Sequence, residues 1–366
     1  MKRLFLTLLV LMMAAGVVFA AGQGEGALDI GIAMPETHVE RWQRDGAALL
    51  EGAQDAGYTA EVTYGDADQG LQNEQIQNFI TKGAKVLIVG NINEGVNSVV
   101  SEAAEEGIIV IAYDRLITGS DDYNYYITFD NFKVGEFQGQ AIADALDLEN
   151  TDSSDPKYIT LFAGSPTDNN ANFFFDGAMS ILRPHVERGA LEVVGPAPMS
   201  SDDPAFTRIA TENWRAEVAK ARMENLLSNA ALDVTLDAVL APNDTLARAI
   251  IEALSADAKY DTTETLPVVS GQDAELASVQ LIREGRQHMT VFKDTRDLAA
   301  GAVALADALL SGEETPEVPG ARLDTETYDT GLKVVNSYLL EPVIVTQDNW
   351  EEVMVGSGYY SASDFE

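Results

Sequence analysis

Arg41-Trp42, Asp114-Arg115, Asp168-Asn169-Asn170, Trp214, Asn243, Asp273 and Lys293 are the residues of this chain whose chemistry asks for an explanation. The set mixes carboxylates, amides, two guanidiniums and an ammonium. Such groups both donate to and accept from hydroxyls, as a neutral polyol requires. The two tryptophans add flat apolar faces against which the C–H faces of a pyranose pack. Taken singly, each residue has a plainer role. Asp168 and Asn169 read equally as helix caps, Trp42 and Trp214 as core, and Asp114-Arg115 as a salt bridge at a strand end. The signal lies in repetition, because nearly all of them fall at or just after the end of a predicted strand.

The elements that must carry these residues alternate regularly. Residues 108–112 (IIVIA) form a continuous apolar run of the kind found in the middle of a parallel sheet. That run empties into Asp114-Arg115, and the next predicted strand ends at Asp130-Asn131. In open α/β sheets ligands bind outside the carboxyl ends of the strands, where these polar residues stand. Before them, strands are expected at 28–33, 58–64 and 86–90, separated by helices from about 40 to 57, from 70 to 83 and from 93 to 106. After Asn131 the rhythm repeats, with helices at 132–148, 172–186, 213–228 and 245–254 and strands at 157–162, 191–194, 237–241 and 266–270. A further helix, strand and helix follow at 274–284, 289–292 and 296–310, then an extended segment at 333–345. This pattern predicts an α/β protein of two doubly wound, Rossmann-like parallel-sheet lobes with right-handed crossovers. No Pro- and Ser-rich linker separates them, so the chain should cross directly between lobes, with Asn131 and Asp273 as natural places.

A chain of 366 residues with 46% hydrophobic content and 12 prolines is large enough for two cores. Lys2 and Arg3, the apolar run 4–18, then small residues make a secretory signal peptide, cleaved near Ala20 or Ala21. The run is short for a membrane span. Cysteine is absent, which excludes a thiol nucleophile, a lipid-modified cysteine and any disulfide, so stability rests on the cores. The expected product is a freely soluble exported protein, most simply periplasmic. The net charge of −36 repels nucleic acid and anionic membrane surfaces.

Longer motifs narrow the field. Arg41-Trp42, IAYDRLI, FDN at 129–131, GSPTDNNA, FFFDGAMS, VVSGQDAE and VFKDTRDLA resemble, in this order, the periplasmic binding proteins of sugar ABC transporters, type I fold. The nearest resemblance is to the multiple-monosaccharide receptors that bind aldoses such as glucose, galactose and arabinose, followed by the xylose-binding proteins. It spans about residues 30–360. The resemblance implies a two-lobed clamp with three hinge crossings that closes on a monosaccharide. It implies a leader at 1–21, an N-terminal lobe of 27–131 plus 273–333, and a C-terminal lobe of 132–272 plus 334–366. Trp42 and Trp214 would sandwich the sugar ring. Arg41, Asp114, Arg115, Asn170, Asn243, Asp273 and Lys293 would bond its hydroxyls and ring oxygen, with Asp168 and Asn169 as further contacts. The segment before Trp214 departs from the relatives' pattern. The partners implied are an ABC permease and in some relatives a chemoreceptor, with a monomer as the working unit and neither cofactor, metal nor catalytic residue.

Other readings compete with this one. An exported glycosidase would need two carboxylates, for which Asp114 and Asp273 are the available pair, but no general acid in an apolar setting is evident. His38, His185 and His288 lack metal-ligand spacing, and Gly356-Ser357-Gly358 is not a nucleophile elbow. A sugar-responsive repressor core shares the fold, but carries a basic helix-turn-helix where this chain has its leader. A clamp of the same design for an inositol, a quorum signal or an acidic sugar stays open on sequence alone.

Overall fold

The structure is a computed structural model and describes residues 28–366; the expected signal peptide lies outside the described residues. The first half runs β1 (Ile30–Met34), α1 (Arg41–Asp55), β2 (Ala60–Tyr64), α2 (Gln69–Thr81), β3 (Val86–Val89), α3 (Asn97–Glu105), β4 (Ile109–Tyr113) and β5 (Tyr125–Phe129). It continues through α4 (Asn131–Ala145), β6 (Lys157–Leu161), α5 (Asn169–Glu187), β7 (Leu191–Val193), α6 (Ala216–Ser228), β8 (Ala238–Leu240) and α7 (Asp244–Ser255). The chain ends with β9 (Val268–Val269), α8 (Leu276–Arg283), β10 (Met289–Phe292), α9 (Thr295–Leu310), β11 (Ala321–Asp324), β12 (Asn336–Leu340) and β13 (Val343–Thr346).

Two sheets result. The first has the order β11-β12-β5-β4-β3-β1-β2, with every pair parallel except β11 against β12. In the second, β7-β6-β8-β9 are parallel and β10 pairs antiparallel with β13. Backbone bonds from His288 to Val269 and from Val291 to Gly271 join β10 to the β9 edge, so the second sheet continues as β7-β6-β8-β9-β10-β13. Both lobes therefore share one doubly wound plan, five parallel strands followed by strands returned from the chain's C-terminal end. The strands are apolar because they are covered on both faces: Val86, Leu87, Ile88 and Val89 are all fully buried. Each such side chain contributes about 1.5–3 kcal/mol by leaving water.

The crossings differ from expectation in two of three places. The passage at Asn131 lies between β5 and α4. Asp273 is not a crossing: its N–H donates to Val291 O inside the second lobe, because β10 keeps bonding to residues 269–273. The chain leaves that lobe at Lys293 instead, and α9 packs on α1 of the first lobe. The boundary at 333–334 also moves, since β12 pairs with β5 in the first sheet and only β13 joins the second. Pro342 sits between them; a residue without an N–H suits a passage between sheets.

Helix starts place the polar residues. Asp130, Asp168 and Asn243 cap α4, α5 and α7 with their side chains. Helices α4 and α5 touch backbone to backbone, because a Cβ on Gly135 would stand 2.0 Å from Phe174 O. That approach brings Asn131 and Asn170 together, 2.9 Å from Nδ2 to Oδ1. Helix α1 buries Trp42, Asp45, Leu49 and Ala53 on one face, the three-to-four spacing that turns one stripe inward.

Candidate functional site

A small, tightly closed cavity lies between the lobes, lined by residues of both. Of the residues singled out in the sequence, Arg41, Trp42, Asp114, Arg115, Asp168, Asn170, Trp214, Asn243, Asp273 and Lys293 line it. Asn169 does not. It is half-buried and lines a separate outer groove with Asn93 and Thr118, because α5 begins at Asn169 and consecutive helical residues point about 100° apart. Val39, Phe174 and Gln272 line the cavity without having been singled out. Phe174 had a usable signal, standing one helical turn after Asn170, and Gln272 adjoins Asp273.

The first lobe supplies two arginines around one tryptophan. The guanidiniums of Arg41 and Arg115 each lie 4.9 Å from the Trp42 ring centre, within cation–π range. Arg41 Nη1 is 2.9 Å from Asp114 Oδ2 and 3.6 Å from Asp273 Oδ1. Arg115 Nη2 donates to Glu36 Oε1 at 2.7 Å, and its Nε lies 2.9 Å from Asp168 Oδ2. Asp168 also accepts from the Trp214 indole Nε1 at 3.2 Å. Lys293 Nζ lies 3.0 Å from Asp273 Oδ1. Glu36 and the fully buried Asp45 complete this charge network, although neither lines the cavity.

Several contacts bridge the lobes directly. Besides Arg115–Asp168 and Arg41–Asp273, Asn170 Nδ2 donates to the Asp114 carbonyl at 2.7 Å. The Tyr126 hydroxyl, which donates to the same carbonyl at 2.6 Å within the first lobe, lies 3.1 Å from Asn170 Oδ1 of the other. At the cavity's edge the exposed His38 Nε2 meets Asn213 O at 2.9 Å. The lobes are thus closed on each other.

Electrostatics follows from this packing. Burial pushes the Asp114 carboxyl upward, but the charges of Arg41, Lys293 and Arg115 outweigh it and leave the group below the usual carboxylate range. For Asp168 the balance reverses: burial raises it, Arg115 only partly offsets that, and Asp114 and Glu36 add repulsion. Burial works against the charge of Arg41, yet Asp114, Asp45 and Asp273 hold it well above its ordinary value. Arg41 Nη2 and Gln272 Oε1 are buried without a hydrogen-bond partner, a costly state for polar atoms.

The backbone is strained at the same place. Asp114, Trp214 and Asp273 have φ of 58°, 53° and 92°, in the left-handed region that non-glycine residues avoid. The surroundings enforce it. Asp114 donates its N–H to Ile127 O at 2.8 Å, and its carbonyl also accepts from Thr128 Oγ1 at 3.1 Å. Trp214 was expected inside a helix but sits in a turn before α6. Its indole presses on Gly164, where an added Cβ would stand 1.9 Å from the ring, and it meets Phe174 edge to face at 6.5 Å.

A broader open groove runs past the crossings, lined by Phe129, Phe292, Leu340 and the carboxylates of Asp294, Asp297, Glu341 and Glu352, with neither an arginine nor a lysine in its wall. Among the described residues no group of His, Cys, Asp and Glu is placed to hold a metal ion. No helix there is long and apolar enough to cross a membrane.

Comparison with known proteins agrees with the two-lobed plan. The chain is 46% identical over 345 residues to the multiple sugar-binding periplasmic receptor ChvE of Rhizobium radiobacter, covering 94% of this chain and 93% of that protein. It is 35% identical over 364 residues to the D-xylose-binding periplasmic protein of Escherichia coli, covering 99% of each. A solved ABC transporter solute-binding protein of Clostridium phytofermentans with bound β-D-glucose is 40% identical with a TM-score of 0.84, covering 92% of this chain and 99% of that one. Residues 30–314 match the periplasmic binding protein domain, and with both lobes closing over one polar cavity the chain belongs to the periplasmic binding protein family.

Proposed function

We propose that this protein is an exported solute-binding protein that captures a monosaccharide of the aldose class between its lobes and delivers it to an ABC sugar permease. The observation that carries this reading is the cavity itself. Its wall mixes cations, carboxylates, amides and two indoles from opposite lobes. A sugar hydroxyl is donor and acceptor at once and is satisfied by such neighbours. The names of the relatives, which speak of several sugars, of xylose and of bound glucose, point the same way.

The mechanism is a hinge closure. In an open form the two halves of the cavity separate and the interlobe contacts break. Sugar favours the closed form only through contacts it makes with both halves. The product is a shape, which the permease reads and which a chemoreceptor could read as well. The clamp works as a monomer, and the periplasm is its place of work. The cavity favours neutral ligands over acidic sugars, because Arg41, Arg115 and Lys293 already face carboxylates at 2.7–3.0 Å.

The test is a fluorescence titration of the chain from Ala21 onward against glucose, galactose, arabinose, xylose, fucose, ribose, glucuronate and myo-inositol. Trp42 and Trp214 line the cavity, so binding should change the emission. Saturation by several aldoses near micromolar Kd, about −8 kcal/mol, with glucuronate at least tenfold weaker at pH 7, is the expected result. Response to inositol alone would reassign the ligand, and silence across the panel, checked by calorimetry, would sink the reading.

A further inference from the structure

An arginine offers five N–H donors in one rigid plane, so the rotation of that plane decides which edge meets a ligand. At Arg41 the Nε donates to Asp45 Oδ2 at 2.9 Å. Nη1 lies 2.9 Å from Asp114. Nη2 is buried and has no hydrogen-bond partner, and Arg41 lines the interlobe cavity. Nε and Nη1 are therefore held by the protein on either side, and Nη2, which lies between them, is left for something else.

The grip is itself braced. Asp45 lies four residues beyond Arg41 on the same face of α1 and has no exposed surface. Its other oxygen accepts from the Tyr113 hydroxyl at 2.5 Å. Tyr113 is the last residue of β4 and directly precedes Asp114, the second carboxylate on Arg41. A short ring of contacts, Arg41 to Asp45 to Tyr113 and back through Asp114, thus holds the guanidinium at two points. A fully buried ion pair pays desolvation on both partners and is weak as a stabiliser of the fold. As a means of orienting a donor before the ligand arrives it is effective, because the ordering cost is met in advance.

We infer that Asp45 is a positioning residue for sugar capture: it fixes the Arg41 plane, with Tyr113 as its brace, so that Nη2 is presented to an oxygen acceptor of the sugar, a hydroxyl or the ring oxygen. This rests on the sugar-binding reading above. Asp45 touches no ligand; it acts through Arg41. Burial raises the Asp45 carboxyl, and Arg41 works against that shift, in keeping with a group held in place chiefly by its arginine.

The experiment is a calorimetric D-glucose titration of the full chain with Asp45→Asn, Arg41→Lys, the pair together and Tyr113→Phe, each with a thermal melt of the sugar-free protein. Lysine has no Nε to be gripped. Asp45→Asn should raise the glucose Kd about tenfold or more in protein that still melts cooperatively, and should have no further effect, within about twofold, on top of Arg41→Lys. Tyr113→Phe should shift Kd the same way by a smaller factor, and it decides the matter alone if Asp45→Asn does not fold. Unchanged affinity in the folded variants, or losses that simply multiply in the double substitution, would overturn the inference. A wild-type chain that binds neither glucose nor any aldose of the panel would instead remove the functional reading, and this inference with it.

Discussion

Asp168→Asn is the substitution that best isolates the closed arrangement. The carboxylate caps α5, accepts from Trp214 Nε1 at 3.2 Å and faces Arg115 Nε at 2.9 Å across the lobes. Asparagine keeps one oxygen for the cap, made at Oδ1, and puts an NH2 where Oδ2 stood, so both the indole bond and the charge opposite Arg115 are lost, while Arg115 retains Glu36 at 2.7 Å. A close charge pair across an interface is worth about 1.5–3 kcal/mol at the weaker end of its range. The carboxyl already sits above its usual range through burial, so part of that gain is offset and the lower half of the range applies. At about 1.4 kcal/mol per decade, sugar affinity should fall roughly 10- to 30-fold. Since the contact spans the lobes, the loss belongs in the dissociation rate, read by stopped-flow tryptophan fluorescence with glucose. The sugar-free melting temperature should stay within about 2 °C, because within its own lobe the substitution removes only one indole hydrogen bond, about 1 kcal/mol. Affinity within twofold of wild type, or a lowered melting temperature with intact affinity, would refute the assignment of Asp168 to the ligand-holding closed state.

Two further outcomes are expected. Gly164→Ala places a methyl 1.9 Å from the Trp214 ring, so the indole must shift into the cavity; glucose titration should show at least a tenfold loss with the fold retained by circular dichroism. Asp29 accepts from Thr59 N and Oγ1 and faces Lys85 Nζ at 2.8 Å, and the Lys85 and Thr59 bonds lower its carboxyl from 3.8 to about 2. A depressed acid contributes stability that is complete above the unfolded value and is lost as pH falls through the folded one. With Lys85 largely in solvent, that contribution is about 1–2 kcal/mol. Asp29→Asn should therefore lower the melting temperature by about 1–3 °C at pH 7 and by almost nothing at pH 2, as calorimetry at the two pH values would record.

Much of this was legible before any coordinates. Short apolar runs such as VLIVG at 86–90, each followed by polar residues, announce parallel strands whose carboxyl ends share a crevice. What sequence could not supply was phase and partnership. Asp168, Asn169 and Asn170 look alike as a triplet, and only the start of α5 at Asn169 decides that its neighbours face the cavity while it faces outward. Trp214 lies in a left-handed turn that no propensity predicts, since tertiary contacts impose it. Asp45, four residues after Arg41, reads as a solvated helix charge until its burial is seen. The stretch 333–345 reads as one extended segment, but the chain passes from the first sheet to the second at Pro342. The proline was a usable signal there; the passage near 293 had none comparable.

The late arrival of β12 and β13 has a consequence for how the protein must be made. Strand β12 lies between β5 and β11, and β13 covers β10. A growing chain that stopped at about residue 315 would hold β1 to β10 and leave β5 and β10 as bare edges. Such edges invite pairing with other chains, and each would stay open until the last tenth of the polypeptide appeared. Synthesis from the N-terminus therefore cannot finish one lobe and then the other; both are sealed together by the tail. Fragments ending before residue 336 should be recovered mainly as aggregates, however well their cores are packed.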